Sequence, residues 1–112
     1  MADVIRPVSD DAFVWDENKA ITNWKKHRVT FEAAVEVFFD EYAIDRLDIS
    51  HSDNEARRNI IGAVRDLAKG SEILFVVYVE RVREDVKDVI RIISARPANR
   101  KERKLYERGL PR

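Results

Sequence analysis

At 112 residues the chain is long enough for one domain and too short for two. It has no cysteine, which excludes a disulfide scaffold, a thiolate nucleophile and a cysteine-based zinc site. Its 21 lysines and arginines balance 21 aspartates and glutamates, so no uniform polycation meets nucleic acid here, while 45% hydrophobic residues suffice for a core. The charge is nevertheless uneven. From Arg96 onward seven cations face two acids, a local +5 that leaves −5 on the rest of the chain. A basic cluster of this kind is either a phosphate-binding field or a solvated, salt-laced helix. The first fifteen residues contain Asp3, Asp10 and Asp11 and no apolar run, unlike a signal peptide. No stretch reaches the roughly 20 apolar residues of a membrane span. The chain therefore reads as soluble and cytoplasmic, with no membrane contact.

Met1–Asp11 mixes Pro7 with acids and short aliphatics and reads as a mobile arm. Phe13–Trp15 is a short first strand. Asp16 can cap a first helix by accepting N–H groups of its first turn. Ala20, Ile21 and Trp24 form its apolar stripe, and Lys25, Lys26, His27 and Arg28 close it, where cations suit the negative end of the macrodipole. Thr30 caps a second helix with the stripe Phe31, Ala34, Val35 and Phe38. Trp15 and Trp24 read as core, and Asn23 as a buried hydrogen-bonding post.

Tyr42–Ser50 is an imperfect strand, followed by a polar turn at His51–Asn54. Arg57–Val64 is a strand in which Gly62 marks a bulge or a close-packing point. Glu72–Glu80 is nearly all apolar and reads as a central strand buried on both faces. A charged turn at Arg81–Lys87 leads to the last strand, Asp88–Ala95. Pro97 suits the first turn of a final helix over Ala98–Arg108, with Gly109 as its C-cap. The order is α+β: a short first strand, two helices, a four-stranded antiparallel meander joined by short turns, and a basic C-terminal helix. Residues 12–108 make the single domain, flanked by the arm 1–11 and a tail 109–112.

Four short patterns reach beyond fold. Trp15-Asp16, Lys19, Asn23, Lys26-His27, Val29, Phe31 and Ala34 match the spacing W-D-x-x-K-x-x-x-N-x-x-K-H-x-V-x-F-x-x-A. This resembles the signature of BrnT-type toxins. Glu55-x-Arg57 with Ile61-Gly62, Val76-Val77-Tyr78, and Ile90–Arg96 followed by Arg100, Glu102, Arg103 and Tyr106 are similar to later segments of that family. The likeness spans Phe13 to Tyr106. It departs in the long Arg81–Lys87 turn and in the added N-terminal arm.

The resemblance implies a RelE/ParE-like fold and the toxin half of a type II toxin–antitoxin pair, an endoribonuclease that cleaves mRNA and blocks translation. It also implies a BrnA-like antitoxin partner, an RNA substrate that is free or ribosome-associated, and operator DNA reached only through the antitoxin complex. The residues make this chemistry reasonable. Attack of a 2′-hydroxyl on its phosphate builds negative charge that guanidinium or ammonium groups stabilise without a metal. Proton transfer falls to general acid–base groups. The catalytic candidates are His27, Glu55, Arg57 and Arg91; the substrate-binding candidates are Lys26, Tyr78, Arg96, Arg100 and Lys101. His51 lies in a loop and adds little. Arg57 and Arg91 sit inside apolar strands, so each either faces the open side of the sheet or pairs with an acid such as Glu55 or Asp45. No metal or cofactor is expected: histidines and carboxylates lack ligand spacing, and three glycines make no phosphate loop. The alternative function is a catalytically degenerate toxin fold acting as an interaction module or co-repressor subunit, which the balanced charge favours.

Overall fold

The computed structural model describes residues 3–8, 11–48, 57–66, 70–83 and 86–111. Strands β1 (Asp3–Val8) and β2 (Asp11–Asp16) precede helices α1 (Glu17–His27) and α2 (Phe31–Val37). Strands β3 (Ile44–Leu47), β4 (Arg57–Asp66), β5 (Gly70–Arg83) and β6 (Val86–Pro97) follow, and helix α3 (Arg100–Arg108) ends the fold. The six strands form one sheet in the order β1-β2-β6-β5-β4-β3. All neighbours run antiparallel except β2 and β6, which are parallel.

Local chemistry sets the two N-terminal helices. The Asp16 carboxylate accepts from the N–H groups of Asn18 and Lys19 at 2.8 and 3.2 Å. Arg28 ends α1 in the left-handed region at φ 56°, its N–H bonded to Trp24 O at 2.9 Å. Thr30 Oγ1 then accepts from Ala33 N and starts α2. Phe31, Ala34, Val35 and Val37 of α2 are buried on the sheet with Phe13, Trp15, Leu74, Val76 and Ile92. Trp15 meets Phe31 edge-on at 5.8 Å between ring centres, and Phe38 meets Tyr78 at 4.9 Å.

Several expectations from sequence are corrected. Residues 3–8, read as a mobile arm, form an edge strand against β2, a position that tolerates Pro7. Ile21 and Trp24 do not face the core; they are 52% and 44% exposed, and Arg28 lies over the Trp24 ring at 5.3 Å. Asn23 takes the inward position instead. β3 is shorter than Tyr42–Ser50, of which residues 49–50 lie outside the described set, as does the turn at 51–54. Most of the charged turn at 81–87 is strand, because β5 and β6 extend to Arg83 and from Val86 as a long hairpin. β5 is buried in part on both sides: Leu74, Val76 and Tyr78 on the helix side and Val79 opposite, where Phe75 and Val77 are half-buried. Pro97 ends β6 rather than opening α3. Asn99 caps that helix through a capping box with Glu102.

Gly62 is a close approach and not a bulge, since it pairs in register with Leu74. A Cβ there would lie 2.8 Å from Val37 Cγ1 and 3.2 Å from the Ala43 Cβ. Val37 is fully buried and β-branched, so it cannot swing away. Two tethers hold α3 to the opposite face of the sheet. Arg96 grips Glu102 through two bonds of 2.8 Å and covers the Phe75 ring at 4.2 Å. Tyr106 Oη donates to Asp40 Oδ2 at 2.6 Å, and that carboxylate also accepts from Ala63 N and Tyr42 N.

Two outcomes test this packing. Gly62→Ala overpacks the α2–β4 contact and lowers unfolding stability by about 1–3 kcal/mol in chemical denaturation; an unchanged midpoint would show a looser contact. The second concerns acid. Burial works against the ionised forms of Asp40 and Glu102, yet hydrogen bonds from Ala63, Tyr106 and Tyr42, and from Arg96 and Asn99, hold both carboxylates below their ordinary values of 3.8 and 4.5. Depressed carboxylates contribute stability above their unfolded values and lose it as pH falls through the folded ones. The thermal midpoint therefore drops below about pH 4. Glu102→Gln costs about 1–3 kcal/mol at pH 7 and flattens that drop.

Candidate functional site

Residues paired across strands share a sheet face. Arg58 pairs with Tyr78, which packs on Phe38, so this row lies on the helix-covered face. The next row, Arg57–Val79–Arg91, therefore lies on the opposite face, where α3 packs. Arg57 and Arg91 stand two strands apart, with about 10 Å between their backbones. On the same face follow the rows Arg46–Asn59–Val77–Ser94 and Ile61–Phe75–Arg96.

One irregularity makes this possible. In an even strand Arg91 and Arg96, five positions apart, would point to opposite faces. The pairing shifts between Val77 and Tyr78, where Ile92 faces Tyr78 and Ser94 faces Val77, leaving Ile93 as an extra residue. This bulge restores both arginines to one face.

At the bulge β6 meets α1. A cleft of about 350 Å³ is lined by Lys19, Asn23, Lys26 and His27 of α1, among others, and by Ile93 and Ser94 of β6. Asn23 fixes this contact. Its Nδ2 donates to Ala95 O at 2.7 Å and to Val29 O at 3.0 Å, and its Oδ1 accepts from Ala95 N at 3.0 Å. Ser94 belongs both to the cleft and to the arginine-bearing face. The expected candidates thus fall into two adjoining groups: Lys26 with His27, and Arg57 with Arg91.

Other candidates stand elsewhere. Tyr78 is buried on the helix-covered face, away from Arg57 and Arg91. Burial, then its bond to Asp45, raises its phenol well above the ordinary value. Asp45, expected as a partner for Arg57 or Arg91, is occupied by Tyr78 and by Arg58 at 3.1 Å. Arg96 is on the arginine-bearing face but bound by Glu102. Arg100 and Lys101 lie exposed in the first turn of α3. Glu55 and His51 lie outside the described residues. Arg46, which sequence reading passed over, shares the arginine-bearing face and lines a second cleft with Lys101, Lys104 and Arg108. Its only signal in sequence is alternation within a short polar strand.

Among the described residues, no group of three histidine, cysteine or carboxylate side chains is arranged for a metal, and no helix is long and apolar enough to cross a membrane. A search among curated proteins returned no match. A family model described as "Ribonuclease toxin, BrnT, of type II toxin-antitoxin system" matches residues 15–102, well over half of the chain. That match covers the α1 cleft, the Arg57–Val79–Arg91 row and the first turn of α3 alike. The chain belongs to the BrnT family of ribonuclease toxins of type II toxin–antitoxin systems.

Proposed function

We propose that the protein is a metal-independent endoribonuclease of RelE/ParE-like type that cleaves mRNA in the cytoplasm, blocks translation, and is neutralised by a BrnA-like antitoxin. The observation that carries this reading is the pair of arginines in one cross-strand row, Arg57 and Arg91, beside the cleft that holds Lys26 and His27. In this scheme the 2′-oxygen attacks the adjacent phosphorus and the bond to the 5′-oxygen breaks. Arg57 and Arg91 meet the charge that gathers on the phosphoryl oxygens. Lys26 binds the phosphate beside them. His27 moves one of the two protons, and Glu55 serves the other. Arg96, held by Glu102, contributes field and positions α3.

The test is cleavage of a synthetic RNA by the purified chain. The expected products end in a 2′,3′-cyclic phosphate, cleavage persists in EDTA, and a substrate deoxy at the cut position is inert. Arg57→Ala and Arg91→Ala each lower the rate by about 10²–10³-fold, and His27→Ala by about 10²-fold or more, with unfolding midpoints near wild type. Wild-type rates in both arginine variants would remove the mechanism. A folded, inert wild-type protein would favour the degenerate interaction module or co-repressor subunit.

A further inference from the structure

The second cleft, between α3 and β3, takes no part in the reaction above. It encloses about 450 Å³. One wall is a single face of α3, where Lys101, Lys104 and Arg108 recur at i, i+3 and i+7. The other wall is Arg46 of β3, aimed by a 3.3 Å bond from its Nε to Asn59 Oδ1. The lining carboxylate, Glu102, is held by the two-pronged grip of Arg96 and also feels the charge of Arg46. Among the described residues none of these four cations makes an ion pair.

A merely solvated helix does not account for this arrangement. Lys101 sits in the first turn of α3, where the positive end of the macrodipole disfavours a cation. Arg46 comes from a different element and brings a further like charge to the same space. Gathering four cations around a single carboxylate costs stability, and a bound polyanion offsets that cost.

Position narrows the polyanion. Arg46 begins the row Arg46–Asn59–Val77–Ser94, and Ser94 lines the cleft of Lys26 and His27 at the far end. The row crosses three strand spacings, about 14 Å. The Arg57–Val79–Arg91 row lies beside it, two residues along the strands, about 7 Å away. Asn59 and Val79 within these rows are buried, so a single nucleic-acid strand crossing the sheet here would run over the arginine side chains, with its flank in the α3 cleft. We infer that the cleft formed by Arg46, Lys101, Lys104 and Arg108 is a phosphate-backbone site for single-stranded RNA that holds nucleotides flanking the cut. This rests on the ribonuclease reading above and adds an anchoring site to it.

The experiment measures binding of a short, uncleavable 2′-O-methyl RNA by fluorescence anisotropy across a salt series. The expected result for Arg46→Ala/Lys104→Ala/Arg108→Ala is a loss of about 10-fold or more in affinity and a salt slope shallower by about 2. Arg46→Lys/Arg108→Lys retains the slope, because phosphate contacts of this kind need charge and not a guanidinium. Wild-type affinity and slope in the triple alanine variant overturn the site. So does a triple alanine variant that keeps its RNA affinity but loses affinity for polyglutamate, which would mark the cleft as a seat for an acidic protein segment. If the wild-type chain cleaves nothing but the triple variant still loses affinity and slope, the reaction fails and the RNA site stands.

Discussion

A buried amide fixes where α1 meets the sheet. β2 runs beside β6 only as far as the Val14–Arg91 pair, and the chain then turns away into α1. Ala95 of β6 lies beyond that point, and its N–H and C=O would lack a strand partner. Asn23 supplies one acceptor and one donor to them, and spends its second donor on Val29 O in the turn to α2. An aspartate offers no donor to these carbonyls, and an aliphatic residue would leave all three groups unsatisfied at about 1–3 kcal/mol each. Lys26 and His27 stand three and four positions beyond Asn23, on the same side of α1. The place of the candidate proton-transfer group relative to β6 thus follows from a residue that touches no substrate.

The same strand shows how a local defect makes a surface. The extra residue Ile93 lets Arg91 and Arg96 share one face although their spacing is odd. Their surroundings then divide their roles. Arg96 turns to Glu102 and Phe75, and ties α3 to the sheet. Arg91 stays in the row with Arg57. Part of the basic cluster in the last seventeen residues is thus structural, and part lines clefts. This division reconciles a chain of zero net charge with the phosphate-binding face proposed for it, since what a ligand meets is the local field and not the total.

Much of the fold was legible where the signal is local. The caps at Asp16 and Thr30, the α2 stripe and the apolar β5 each follow from residues within a turn or two of one another. What failed depends on partners far along the chain. Neither the parallel join of β2 to β6 nor the pairing of β1 leaves a pattern in its own segment. The α1 stripe was misread for a related reason. Ile21 and Trp24 look apolar enough to face inward, but the buried hydrogen bonds of Asn23 turn the helix toward the polar residue between them. In the candidate site, arginines embedded in apolar strands were visible. That Tyr78 faces away from them was not, because it depends on the register between β4 and β5.

Register also decides which side of each carboxylate faces the chemistry. Asp45 and Arg58 lie with Tyr78 on the helix-covered face, so the acid next in sequence to Arg46 is spent on the far side of the sheet. Asp40 is spent likewise on Tyr106, Ala63 and Tyr42. These acids serve packing, and among the described residues Arg46, Lys101, Lys104 and Arg108 make no salt bridge, although Arg46 lies close enough to Glu102 to act on its carboxylate. A phosphate backbone approaching the α3 face therefore meets cations whose natural competitors are already engaged. The asymmetry between the two faces of the sheet, and not an excess of basic residues, is what would give a neutral chain the RNA-binding surface proposed for it.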